Sequence, residues 1–460
     1  MLCANVPGFR PVVAPRSLSR ATPLAGRVAG KAAKIMHKGF GTPVYKKQPS
    51  DYGREYHVFD LESSVELSGR DAPVTKRVLM ITSVASMIDQ FNMPNIALLQ
   101  EMGYSVEVAC NFVTGNTSSP QRVRAFCDEL RACGVTMHQI DFPRNVYRFW
   151  SVFRSYLQLK RLFEQSAFDF VHCQSPIGGV LGRFLSHKFG VRVIYTAHGF
   201  HFFRGASLLA WGLYYPVERF LAKYTDVLIT INSEDYASAL KFGAKRVVKV
   251  PGVGIDIDKF RPTQGDGGSM RRLFGLPKDS FVLLSVGELN KNKNHEVVIR
   301  ALAELGDPSV HYVICGRGAL STYLRELAEH LGVGARVHLV GYQSDIVKAY
   351  QASDVFVFPS KREGLSVALL EAMASELPVV CSRVRGNIDL IENEVGGFLC
   401  GAADVGAIRA GLQRLIDDAA LAKRMGSHNG AVVVSNSQAL VMSLMRDVYR
   451  ATAASQPVNR

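Results

Sequence analysis

Two glutamates eight positions apart, Glu363 and Glu371, frame the segment Pro359-Ser-Lys-Arg-Glu-Gly-Leu-Ser-Val-Ala-Leu-Leu-Glu-Ala-Met373 at a predicted strand–loop–helix junction. Eight residues span roughly 12 Å along a helix, so one carboxylate would sit at the helix mouth and the other two turns inside, in reach of both ends of one elongated ligand. Gly364 lets backbone approach closely there, and Leu365 and Ser366 open a helix N-terminus whose free N–H groups suit a phosphate. A second loop, Gly287-Glu-Leu-Asn-Lys-Asn-Lys-Asn-His295, brings Lys291 and Lys293 to the same sheet edge, and lysine is a point charge suited to a diphosphate. Carboxylates accept sugar hydroxyls, and a sugar nucleotide presents both demands together. Each feature also has an ordinary structural reading: a capping glutamate, a solvated helix face, two commonplace lysines. The inference rests on both loops converging.

A third group is His198-Gly199, after a strand and followed by His201 and Arg204. A histidine at the carboxyl end of a parallel strand can point into a cleft, whereas His201 reads as loop support. Cys315-Gly-Arg-Gly318 is only half of a dinucleotide fingerprint, and a tight turn explains it without a ligand.

These loops need a scaffold of parallel strands. From Lys76 onward, short β-branched runs alternate with helical segments, the mark of βαβ units. Strands are expected at 77–82, 105–110, 135–140, 168–173, 191–196 and 227–231, then at 281–286, 311–315, 336–340, 355–358 and 379–381, with helix beyond Gly396-Gly397. The fold class is therefore α/β, with two doubly wound parallel-sheet domains facing each other. The expected boundaries are 76–260, 261–435 and a returning C-terminal helix and tail at 436–460, with the Gly/Pro-rich stretch Val250–Pro262 as linker and hinge.

At 460 residues and 47% apolar, the chain has material for two or three domains. The formal charge of +14 lies mostly in residues 1–50, which hold nine Lys/Arg and no acid, so the remainder nets only +5. Residues 1–75 are expected to be a disordered tail and linker, and either an organellar-type leader or an over-extended start with Met36 downstream fits that composition. Eight scattered cysteines without a CxxC argue for a reducing, cytoplasmic setting and against zinc. The longest uncharged apolar stretch, Gly205–Val217, is 13 residues and too short to span a bilayer.

With Glu363-x7-Glu371, Gly287-x5-Lys293 and His198-Gly199 in hand, the sequence resembles the retaining glycosyltransferases of family 4, which have the GT-B architecture of two facing Rossmann-like domains. The similarity covers about residues 76–450. Tyr195-Thr-Ala-His-Gly-Phe-His-Phe-Phe203 and Tyr224-Thr-Asp-Val-Leu-Ile-Thr-Ile-Asn232 resemble the branch that builds exopolysaccharide, capsule and lipid-linked oligosaccharides. The resemblance implies that Glu371 holds the nucleotide ribose, Glu363 the transferred sugar and Lys293 the diphosphate, with His198 across the cleft near the anomeric centre. It further implies donor contacts at Gly287, Gly364, Leu365, Ser366 and Arg317, and an acceptor side including Ser83, Asp89, His201 and Arg204. Two departures stand out: Glu288 replaces the arginine usual after the phosphate-loop glycine, with Lys291 or Arg317 as substitute cations, and Ser83–Asn92 replaces a glycine-rich turn.

The expected reaction moves a sugar from a nucleotide diphosphate sugar, a UDP-sugar by preference, to a hydroxyl of a polyprenyl-linked or polysaccharide acceptor, with no cofactor and no metal. A sugar-nucleotide epimerase and a non-catalytic sugar-nucleotide-binding scaffold are the alternatives. The tail carries almost no aromatics for stacking, so no nucleic-acid partner is expected. The basic aromatic stretch Arg144–Phe163 reads as a crossover helix packing its aromatics on the sheet in preference to one lying at the inner face of the plasma membrane with Trp150 and Phe153 inserted.

Overall fold

The computed structural model describes residues 76–144, 147–262 and 271–454. The expectations for residues 1–75 and for the tail after 454 lie outside the described residues. The first sheet contains β1 (Lys76–Val84), β2 (Tyr104–Asn111), β3 (Thr136–Gln139), β4 (Phe170–Gln174), β5 (Arg192–Ala197), β6 (Val227–Thr230) and β7 (Arg246–Lys249), in the order β3-β2-β1-β4-β5-β6-β7. The second contains β8 (Phe281–Val286), β9 (Val310–Cys315), β10 (Val337–Gly341), β11 (Val355–Phe358), β12 (Val379–Ser382) and β13 (Gly397–Cys400), in the order β10-β9-β8-β11-β12-β13. Every pairing is parallel.

The strands read as continuous apolar runs because helices cover both faces. In β1, Val78 and Met80 enter one core layer while Leu79 and Ile81 enter the opposite one, as the two-residue side-chain period requires. In β8, Val282 and Leu284 face one layer and Leu283 the other. Strand order reverses between β1 and β4 and again between β8 and β11, so the loops leaving these strands diverge and open a crevice. Ser83 lies at the end of β1, and Ser175, Gly287 and Glu363 lie on the loops that follow β4, β8 and β11.

Three expectations need correction. Residues 397–400 are a strand, not helix: β13 pairs with β12, and a Cβ on Gly397 would lie 2.0 Å from the Val379 carbonyl oxygen, so the glycine read as a breaker is what lets the edge strand approach. β7 was unforeseen because a four-residue, half-exposed edge strand carries almost no hydrophobic period. The stretch Val250–Pro262 is no loose hinge: Ile255 and Phe260 are buried in the second lobe's core, and Ile255 exchanges backbone hydrogen bonds with Asn436 and Gln438.

The C-terminal helix Gln438–Ala454 returns to the first lobe. Val441, Met445, Val448 and Tyr449, spaced on one helical face, enter its core. The Tyr449 hydroxyl lies 3.0 Å from His172 Nδ1 and 3.2 Å from Asn95 Oδ1. Helix Phe149–Gln165 does cross over the sheet, but only Leu159, Leu162 and Phe163 of its apolar residues are buried. Phe149, Trp150 and Phe153 stand exposed, against the expectation that the aromatic stripe packs inward. No helix among the described residues is long and apolar enough to cross a membrane.

Candidate active site

The second-lobe wall is built by the loops after β8 and β11. Gly287 has φ +156°, and a Cβ there would meet the Lys293 stem at 3.1 Å, so glycine lets that side chain lie across the loop. The Asn290 carboxamide oxygen accepts from the Lys293 N–H at 2.9 Å and fixes the turn. Lys293 Nζ then reaches Glu363 Oε1 at 2.8 Å while standing 4.6 Å from the centre of the Phe358 ring. Beyond Glu363, the run Val-Ala-Leu-Leu-Glu-Ala-Met-Ala forms the helix Val367–Ala374, anchored by buried Leu369, Leu370 and Met373. Ser366 caps it, its hydroxyl accepting from the Leu369 N–H at 3.4 Å.

The first-lobe wall follows β1, β4 and β5. Ser175 takes φ +87°, a strained value for a residue with a side chain, and its hydroxyl accepts from the Ser83 N–H at 3.0 Å and pairs with the Ser83 hydroxyl at 2.8 Å. His198 Nε2 lies 2.7 Å from Gln174 Oε1. Gln174 spends its amide N–H on Asn92, so its oxygen is the acceptor and His198 Nε2 carries the proton. Nδ1 is then the basic face of the ring. Burial depresses the His198 pKa to about 4, so the imidazole is neutral at physiological pH. His201 stacks on Tyr214 with ring centres 4.6 Å apart.

Between these walls lies a cavity of about 800 Å³, lined by Ser83, Ser175, His198 and His201 from one lobe and Lys293, Arg362, Glu363 and Gly364 from the other. The lobes touch at its floor. A Cβ on Gly364 would lie 2.0 Å from the His198 carbonyl oxygen, so only glycine allows the contact. Arg385 fastens the same floor: its guanidinium donates to Asp235 Oδ1 at 2.6 Å, to the Phe200 carbonyl at 2.9 Å and to the Glu363 carbonyl at 3.1 Å. Sequence reasoning missed Arg385 and Asp235. A lone arginine after a strand and an aspartate in a helix carry no spacing signal, and 150 residues separate them. It also missed Glu218, which lines the cavity held by buried Arg183 at 2.8 Å and by the Tyr195 hydroxyl at 3.2 Å.

Several candidates lie elsewhere. Glu371 does not line this cavity: it is largely buried, its Oε2 accepts from the Tyr350 hydroxyl at 2.8 Å, and burial raises its pKa to about 7. Asp89 is committed to Arg122. The Arg204 side chain lines a second cavity of about 580 Å³ on the far side of Arg385, while its backbone N–H donates to Glu234. Leu365 packs at the second lobe's core, where a Cβ on Gly252 would meet it at 2.6 Å. Neither substitute cation reaches the cleft: Arg317 is exposed beside Gly341, and Lys291 lines a small separate cavity with His295 and Tyr323. Glu288 is exposed, accepts from the Asn290 amide at 3.0 Å and does not line the cleft. Arg362, Arg144 and Arg385 are the cations lining the cleft that sequence reading did not place in the site. The sequence reading argued against a metal on there being no Asp-x-Asp, and that count was wrong: Asp256-Ile257-Asp258 has the spacing, with Asp256 capping the Lys259 N–H at 3.2 Å and Asp258 paired with Arg261 at 3.2 Å.

Comparison with known proteins gives the family and the fold. Residues 93–252 match the glycosyl transferase 4-like domain, and residues 269–430 match glycosyl transferases group 1. The chain is 36% identical over 386 residues to EpsD of Bacillus subtilis (strain 168), itself named as a candidate glycosyltransferase, covering 82% of this chain and 97% of that one. It is 33% identical over 277 residues to the Escherichia coli UDP-Gal:alpha-D-GlcNAc-diphosphoundecaprenol alpha-1,3-galactosyltransferase, covering 58% and 71%. Among solved structures, Anabaena HepE in complex with UDP and glucose superposes with a TM-score of 0.66 at 18% identity, over 82% of this chain and all of that one, which shows the shared fold. The chain therefore belongs to the group 1, family 4-like glycosyltransferases and has the GT-B fold.

Proposed function

We infer that this enzyme transfers a sugar from a UDP-sugar to a hydroxyl of a lipid-linked or growing polysaccharide acceptor, with retention at the anomeric carbon. The carrying observation is the Lys293–Glu363 pair on the cleft floor opposite a neutral His198. A diphosphate competes with Glu363 for Lys293. Once Lys293 turns to phosphate, the Glu363 carboxylate is released to accept hydroxyls of the sugar. A single arriving ligand thus exchanges one ion pair for two complementary contacts, and little charge is left uncompensated.

In the chemical step the bond from the anomeric carbon to the diphosphate oxygen breaks as the acceptor oxygen bonds to that carbon on the same face, and the acceptor proton passes to the departing diphosphate. Lys293 and the N–H groups opening helix Val367–Ala374 face the charge that grows on the leaving group, the arrangement that stabilises a transition state most effectively. Arg362 supplies the second cation in place of the arginine that Glu288 replaces. His198 Nδ1 accepts a sugar hydroxyl, which orients the ring against Glu363. Ser83, Ser175 and His201 form the acceptor side. Glu371, displaced from the cleft toward Tyr350, serves the ribose from the far end of the helix. UDP-sugars are supported as donors by the relative named for UDP-Gal and by the HepE complex with UDP. The lipid-linked acceptor is supported by the diphosphoundecaprenol in that relative's name.

The test is a thermal-shift panel of UDP-sugars and other nucleotide sugars, followed by turnover with lipid-diphosphate acceptors. One UDP-sugar should raise the melting temperature, since ligand bound only by the native state stabilises it. Glu363→Gln should retain UDP binding and lose roughly 100-fold or more in turnover. A donor isomerised without acceptor, or a Glu363→Gln enzyme with full turnover, refutes the reading.

A further inference from the structure

The first lobe turns an apolar, basic helical layer to the outside. Helices Phe149–Gln165, Pro176–Phe189 and Leu208–Ala222 lie side by side on one sheet face and bury their inner residues in one core. At about 100° per residue, the buried Ser155, Leu159 and Leu162 of the first helix define one direction, and Phe149, Trp150, Phe153 and Leu157 define the opposite one. A crossover helix that only packs on a sheet needs one apolar stripe. This one has two.

Helix Leu208–Ala222 repeats the pattern independently. Leu209, Leu213, Val217 and Phe220, spaced four, four and three apart, are exposed opposite the buried Glu218, Leu221 and Ala222. Trp150 is 86% exposed and Leu209 76%. Phe184 on the middle helix is exposed as well and sits 6.1 Å from Tyr156, which stacks with Phe153, so the aromatic surface runs from one helix to the next.

Among the described residues, the unpaired charges on this apolar layer are positive, Arg154 being paired with Asp141 just ahead of the first helix. Arg148, Arg161, Arg219 and Lys223 are exposed and make no ion pair with described residues. On the three helices the acids are Glu164, paired with Lys160, and Glu218, turned inward to Arg183. Aromatics flanked by free arginines and lysines match the boundary of an anionic bilayer, where rings enter the acyl edge and cations meet phosphates. The layer also adjoins the cleft: Tyr214 and Glu218 of the third helix line it from their inner side, and Pro143 and Arg144, just ahead of the first helix, line its wall.

We propose that this three-helix face docks the enzyme on an anionic lipid surface, with Trp150 and Phe220 inserted and the cleft beside the bilayer. The proposal does not depend on which donor is used. Full-length protein is floated with phosphatidylcholine vesicles and with vesicles containing phosphatidylglycerol. Wild type should float with the anionic vesicles, release at high ionic strength and, in a Trp211→Phe background, show a blue shift of Trp150 emission. Phe149→Ser/Trp150→Ser/Phe153→Ser should fold with an unchanged melting temperature, because these side chains lie outside the core, and should bind roughly tenfold or more weakly. Leu209→Ser/Phe220→Ser gives the same reading from the second helix. Retained flotation of both variants would assign binding to the basic residues 1–50 and overturn the proposal. So would failure of wild type to prefer anionic vesicles, or a wild-type dimer that these substitutions make monomeric, which would make the face a contact between two copies.

Discussion

Two ion pairs meet at the floor of the cleft, and they differ in burial and in span. Lys293–Glu363 lies within one lobe with side chains 20% and 12% exposed, while Arg385–Asp235 joins the lobes with 4% and 1%. The first faces the cavity, where an incoming anion can take the lysine. The second is sealed and satisfied three times over, since Arg385 also bonds two carbonyls and Asp235 accepts from Asn232 and from the Phe200 N–H. A partly wet pair can be exchanged by a ligand; a dry, saturated one can only be broken. Similar chemistry thus serves as a replaceable placeholder in one place and as a fastening in the other.

The largest effect tests the fastening. Arg385→Ala leaves a buried aspartate unpaired and should cost about 3–5 kcal/mol in chemical denaturation, with part recovered when Asp235→Ala is added. A cost near that of an exposed pair would erase the contrast. Lys293→Met should lose roughly 100-fold in turnover, as expected for a contact to the leaving group, while stability changes by only about 1 kcal/mol. If stability falls as far as in Arg385→Ala, the placeholder account is wrong.

Glu371 sharpens the comparison as a carboxylate with a hydroxyl partner and no cation in contact. Its pKa, raised to about 7 by burial, means that the native state holds the proton more tightly than the unfolded chain. Its contribution is full below the ordinary carboxylate range and is lost as pH rises through about 7. Glu371→Gln should remove about 3 kcal/mol of this pH dependence between acid and neutral conditions, read as a flatter plot of melting temperature against pH. An unchanged plot would show that another group titrates.

The smallest effect concerns His198. Because burial holds its pKa near 4, kcat/KM should show no inflection at the usual imidazole pKa. Gln174→Glu, which places a carboxylate on the Nε2 proton, should move the acid limb of the profile upward by about one unit. An inflection near 6.5 in wild type would mean that the imidazole is solvated in the working enzyme.

Most strands were legible because a parallel sheet covered on both faces demands apolar runs of strand length, and β1, β8 and β11 show such runs. Edge strand β7 was not, since half its surface needs no apolar residue, and β13 was not, because the Gly396-Gly397 pair that opens it reads as a breaker. In the site, Glu363, Lys293, Gly364 and His198 were legible from residue type at the carboxyl ends of strands. Glu371 was placed on the right helix, but its carboxylate lies against the Tyr350 hydroxyl and outside the cavity lining. Its face depends on where the helix starts, and Ser366 puts that start three residues beyond Glu363.

By itself the amino-acid order determined the two α/β lobes and the loops that carry the chemistry, because these depend on periodicity and short spacings that neighbouring residues impose on each other, and its motifs carried the resemblance to the family. Only the tertiary structure decided which of those residues share a cavity, that Arg385 and Asp235 lock the lobes, and that the aromatics of two helices face outward. Those outcomes are set by contacts between segments far apart in the chain, where burial gives each charge and ring an environment that local sequence does not encode.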